Sequence, residues 1–130
     1  MIESHNFDWV TARANCSLTG LFLSLKSEVE NDVRVRNDIE SKTTPVIRRI
    51  CQFKNVGTSF SVFTEADSPA RILEFKLAVP HIVVLDNGQE FVKATHTFNA
   101  DGKCALVVND REIKNWQFRK MALEAIVFGR

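Results

Sequence analysis

Residues 71–88 read Arg71-Ile72-Leu73-Glu74-Phe75-Lys76-Leu77-Ala78-Val79-Pro80-His81-Ile82-Val83-Val84-Leu85-Asp86-Asn87-Gly88. In the first half Leu73, Phe75, Leu77 and Val79 alternate with Glu74, Lys76 and Ala78. A period of two places the apolar set on one face of an extended chain, so this is a half-buried strand. Pro80 cannot donate to a ladder and marks an edge, a bend or a strand start. Ile82 to Leu85 is a short apolar run, and Asp86-Asn87-Gly88 is a hairpin signal, because Asn and Gly accept the positive φ of a tight turn.

The same period extends in both directions. Downstream, Glu90 to Phe98 alternates, Asn99-Ala100-Asp101-Gly102 turns the chain, and Cys104 to Val108 returns. Upstream, Ile47, Cys51 and Phe53 alternate with Arg48, Gln52 and Lys54, Asn55-Val56-Gly57 turns, and Phe60 and Val62 oppose Ser59 and Ser61. Ala66-Asp67-Ser68-Pro69 then breaks the pattern. About six strands with short connections predict an antiparallel meander.

Helical patterns bracket the meander. Val10, Ala14, Leu18, Leu21, Leu25, Val29 and Val33 recur at steps of three and four, which predicts a helix from Phe7 to Ile39 started by Asn6 or Asp8. Gly20 weakens it by roughly 1 kcal/mol relative to Ala. A helix of that length would span on the order of 45–50 Å, more than the diameter of such a domain, so it either breaks or protrudes. From Ser27 to Lys42 it turns polar, and Val33-Arg34-Val35-Arg36 alternates, so a short strand competes there. Thr43-Thr44-Pro45 ends it. A second helix runs from Arg111 or Asn115 to Phe128, with Trp116, Met121, Ala125 and Phe128 on a broad apolar face beside Leu123 and Ile126. Asn109 followed by Glu112 has capping-box spacing. The fold class is therefore α+β, one domain over 1–130, with helices layered on one face of the sheet.

Composition narrows the function classes. Apolar residues make up 45% and charged residues 25% of the 130 residues, which rules out long disorder and supplies a core that needs no metal or disulfide. The formal charge of +1 argues against nucleic acid as partner. Cys16, Cys51 and Cys104 form no CxxC or Cys/His cluster, so no metal site is expected, and their odd number argues against a disulfide scaffold. Met1 to Asn6 carries no basic stretch leading into an apolar run, and no apolar stretch is long enough for a membrane helix. A cytoplasmic protein is the expectation. The aromatic set is Phe-rich and has no Tyr, which favours core walls over polar-tipped recognition.

The candidate sites follow from spacing. Trp9, Arg13, Cys16 and Gly20, at steps of four, three and four, share one helix face and would line a pocket for an anionic or planar ligand. The competing reading is packing: Cys16 as a small core residue, Gly20 as a point of close helix approach, Arg13 paired at the rim. His96, in mid-strand on the face of Val92, Ala94 and Phe98, joins the ligand set. A catalytic Cys16 would need a histidine beside it, and sequence places none of His5, His81 and His96 there. Arg48, Arg49 and Lys54 with Lys42, and Arg111, Lys114, Arg119 and Lys120, are basic runs that read as solvated faces. Val29, Val33 and Ile39 keep an apolar stripe among charges of both signs, the pattern of a helix that packs on a second subunit or, equally, curls back over its own sheet. The reading is a non-enzymatic binding or assembly module, with a homodimer as the expected partner arrangement and no cofactor. The alternatives are a small-molecule carrier or sensor with a cavity between the first helix and the sheet, and a small enzyme in that cleft with His96 or His81 as base.

Overall fold

A computed structural model describes residues 7–43, 51–64 and 71–128. Chain order is α1 (Trp9–Asn15), α2 (Leu18–Thr43), β1 (Cys51–Val56), β2 (Ser59–Thr64), β3 (Arg71–Ala78), β4 (His81–Asp86), β5 (Gln89–Phe98), β6 (Cys104–Val108), β7 (Arg111–Ile113) and α3 (Asn115–Phe128). The strands form a seven-stranded sheet in the order β1 to β7, every neighbouring pair antiparallel. The protein is α+β, with α2 and α3 packed on the sheet.

The alternation at 73–79 sets the layering. Leu73, Phe75 and Leu77 pair across β4 with Asp86, Val84 and Ile82, and across β2 Phe75 meets Phe60. These residues face the helices and, Leu77 and Asp86 apart, are buried. The Phe60 and Phe75 rings stack at 4.7 Å, with Phe22 of α2 tilted 5.2 Å and Phe53 of β1 stacked 5.5 Å from Phe60. From α2, Leu18, Phe22, Leu25, Val29 and Val33 enter the same core, and from α3 Phe118, Ala122, Leu123, Ile126 and Val127. By the same alternation, Lys54, Glu74, Lys76 and Lys93 stand on the opposite face of the sheet, among Phe63, Val83 and Leu85.

The turns use the residues that suit them. Asn87 and Gly88 have φ of 51° and 88°, the positive values that the Asp86-Asn87-Gly88 signal required. Asn109 and Asp110 have φ of 52° and 65° and form another two-residue hairpin, between β6 and β7. This corrects the capping-box expectation: Asn109 turns a hairpin, and β7 occupies 111–113, where the second helix was allowed to begin. The true start of α3 is closed by Gln117, whose Oε1 accepts from the Lys114 N–H at 2.9 Å. The first helix also departs from its expectation, in that it breaks. Cys16 is extended (φ −79°, ψ 108°), and Ser17 Oγ accepts from the Gly20 N–H at 3.0 Å, so Ser17 starts α2 afresh. α2 alone has 26 residues, about 39 Å of helix, and continues as helix through Val33–Arg36. Asp8 caps α1, accepting from the Thr11 N–H at 3.0 Å and from its hydroxyl at 2.7 Å. Asn6, Ile47 and the 66–69 break lie outside the described residues.

Candidate functional site

Two apolar faces on α3 create the most developed surface feature. Phe118, Ala122 and Ile126, stepping by four, face the sheet with Leu123 and Val127 beside them. Trp116, Met121 and Phe128 are left on the outside, 54%, 41% and 67% exposed. α2 runs alongside, and its polar half turns Val35 (48%) and Ile39 (54%) outward on the same side. Between the two helices lies a groove of about 480 Å³ whose apolar lining is Val35, Ile39, Trp116, Leu123, Val127 and Phe128.

Ionic and polar contacts fix the two helices that form the groove. Arg119 Nη1 donates to both carboxylate oxygens of Asp32 at 2.8 Å. Arg36 is held from several sides: Nε donates to the Val127 carbonyl at 2.6 Å, Nη1 pairs with Glu40 at 2.6 Å, and the guanidinium lies 5.5 Å from the centre of the Phe128 ring. Lys120 pairs with Glu124 at 2.9 Å. The rim thus carries charges of both signs in roughly equal number around an apolar floor. Near the far end of α2, Asn37 holds the first residue of β1, its Nδ2 donating to the Cys51 carbonyl at 2.7 Å and its Oδ1 accepting from the Cys51 N–H at 3.1 Å.

The expected ligand set is dispersed. Because the chain breaks at Cys16–Ser17, the four-three-four spacing no longer holds one face. Trp9 (60%) and Arg13 point into solvent from α1. Among the described residues only Ser17 Oγ, at 3.1 Å, and the Asn15 carbonyl lie near the position a Gly20 Cβ would take, so no described helix approaches it. Cys16 is buried in a disulfide with Cys104, the Cα atoms 5.2 Å apart, a pairing that the odd cysteine count and the wide sequence spacing do not suggest. A thiol nucleophile at Cys16 is excluded by that bond. Cys51 is buried and lies outside the disulfide. His96 is half-buried on the helix-facing side of β5 opposite Leu106, and its Nδ1 finds no hydrogen-bond partner among the described residues. Between α2 and strands β1 to β3, Phe22, Phe53, Phe60 and Phe75 are in ring contact.

Of the expected interface stripe, Val29 and Val33 lie in the core against the chain's own sheet, and Ile39 alone is exposed. The basic runs do not merge. Lys42 pairs with Asp38 at 3.4 Å, Arg119 and Lys120 have carboxylate partners, and Lys54 and Arg111 stand on opposite edge strands. Arg48, Arg49 and His5 lie outside the described residues. Among the described residues no group of His, Cys, Asp and Glu has the arrangement of a metal site, and no helix is long and apolar enough to cross a membrane. Compared with protein-family models, with curated proteins and with solved structures, the chain matches none.

Proposed function

We propose that this protein is a non-enzymatic assembly module that associates with a second copy of itself through the α2–α3 groove. The observation that carries the reading is the cluster of large apolar side chains that the fold leaves outside: Val35, Ile39, Trp116 and Phe128, all near half-exposed or more, around one groove. Folding the chain does not require them outside, since α3 already buries five residues on the sheet. A contiguous apolar patch rimmed by polar groups is the mark of an interaction surface. Aromatic anchors such as Trp116 are the residues that dominate interface energetics. The rim suits a like partner: Asp32, Glu124, Arg36, Arg119 and Lys120 carry both signs, so a second copy brings charges of both signs and no large single-sign field to the contact. The interface expected at Val29, Val33 and Ile39 moves accordingly, keeping Ile39 and gaining Val35 and α3. A cytoplasmic setting, expected from composition, is kept here only as part of this proposal, and the disulfide weighs against it.

Light scattering across a concentration series tests the reading. The protein should run as a dimer, and Ile39→Asp or Trp116→Ala should shift it to monomer without loss of helical signal, since both side chains are exposed and outside the core. A protein that stays monomeric at the highest concentration, or a dimer indifferent to both substitutions, would end the proposal.

A further inference from the structure

Segment 7–16 has an unusual attachment to the rest of the molecule. None of the residues of α1 is buried. Among the described residues two ties flank it, one at each end, and both reach the β5–β6 hairpin. At one end the Phe7 ring lies on Gly102, where a Cβ would come within 2.6 Å of the ring carbon Cε2. At the other, Cys16 is bonded to Cys104 at the start of β6. The Phe7 contact leaves that ring 54% exposed. A helix of seven residues is far too short to persist in water without tertiary support.

We propose that the Cys16–Cys104 disulfide is a site of thiol–disulfide exchange, at which a dithiol reductant releases segment 7–16 while α2 and the sheet keep their structure. Access is on the Cys104 side: Cys104 is half-buried and lines a surface hollow of about 560 Å³ with Leu21, Asn99 and Lys114, whereas Cys16 is 6% exposed. A thiolate of the dithiol attacks Cys104 Sγ and forms a mixed disulfide, expelling the Cys16 thiolate, which takes a proton from water. The second thiolate of the reductant then attacks its own sulfur in the mixed disulfide and expels the Cys104 thiolate, which is protonated in turn. The chain gains two electrons and two protons, and the dithiol becomes a disulfide. Cys51 offers no alternative partner, being 1% exposed beneath the end of α3, with its Sγ 3.7 Å from the Ile126 carbonyl.

The release has a built boundary at Ser17. α2 begins there with its own cap, Ser17 Oγ on the Gly20 N–H and the Ser17 carbonyl on the Leu21 N–H at 3.1 Å, and Leu18 and Phe22 bury behind it. None of these contacts passes through the disulfide. The bond is therefore a clasp on α1 rather than a support of α2.

Amide hydrogen exchange with intact mass, on the oxidised protein and on the same protein in excess dithiothreitol, tests this. Reduction should add the mass of two hydrogens. Amides 9–16 should then exchange at least about tenfold faster, while those of 22–33 in α2 stay protected. Trypsin should gain a cut after Arg13 in the reduced protein only. Cys104→Ser should show the reduced pattern without any reductant. The proposal is overturned if both cysteines alkylate before reduction, if 9–16 stays protected after the bond is cut, or if protection is lost across α2 and the sheet together.

Discussion

Phe75 sits where the whole core converges: fully buried, stacked on Phe60, which in turn touches Phe22 and Phe53. Phe75→Ala removes that stack and leaves a void that neighbouring rings cannot close, so it should cost about 3–5 kcal/mol. Phe75→Leu retains most of the volume and should cost less than half as much; urea unfolding of the two variants measures both. Asp8 makes a different kind of contribution. The Thr11 hydroxyl and N–H donate to its carboxylate and hold it below its ordinary range. A depressed carboxyl pKa stabilises the folded form above the unfolded value of about 3.9, and that stability is lost as pH falls through the depressed value. Exchange of the α1 amides should accordingly rise between pH 5 and pH 2 beyond its intrinsic trend, with no such excess in Asp8→Asn. At this scale the sequence was readable where a residue type has a strong local preference: Asp8 as one of two cap candidates, Asn87-Gly88 as a turn. It was unreadable at Cys16, because a disulfide depends on where β6 places Cys104, and no local pattern encodes that.

α2 and α3 share the core and are joined besides by a few polar ties, which differ in worth. Arg36 loses a backbone hydrogen bond, an ion pair and a ring contact together when truncated, so Arg36→Ala should destabilise by about 1–3 kcal/mol. The Asp32–Arg119 pair is more open, its side chains 32% and 19% exposed, and a double-mutant cycle should return coupling of about 1 kcal/mol or less. Thermal or urea unfolding of the variants ranks them. The strands were legible because the alternation at 71–79, 90–98 and 104–108 has one apolar face, and a sheet covered on one side demands that pattern. α3 was legible as a helix but not in its phase. Trp116, Met121 and Phe128 are as apolar as a buried set, and only the docking of α3 on the sheet shows that Phe118, Ala122 and Ile126 are the ones turned inward. Of the groove residues, Ile39 carries the interface pattern in the sequence and Trp116 and Phe128 an apolar face with no side attached, whereas Val127 carries no signal of its own. For α2 the stripe Val29, Val33 and Ile39 reads equally as a subunit interface or as cover for the chain's own sheet; Val29 and Val33 are buried as cover where α2 packs on β1, β3 and β4, and Ile39 is exposed.

Across the whole molecule, the disulfide closes a separation of 88 residues. By the chain-entropy account such a loop restricts the unfolded ensemble by roughly 4–5 kcal/mol. The denaturation midpoint of the reduced protein should consequently fall even though its folded sheet is unchanged, and equilibrium unfolding with and without dithiothreitol separates that global effect from the local freeing of α1. The strict order β1 to β7 has a consequence for how the chain is made. Each strand emerges from the ribosome just after the strand it pairs with, so the hairpins can close one by one as synthesis proceeds. α2 has the opposite fate. Its apolar row from Leu18 to Val33 leaves the exit tunnel before β1 to β7, the strands that cover it, and so waits without them through the translation of most of the sheet. The nascent protein is thus most exposed to mis-association early, at a helix, and a holding chaperone would find its binding site there rather than among the strands.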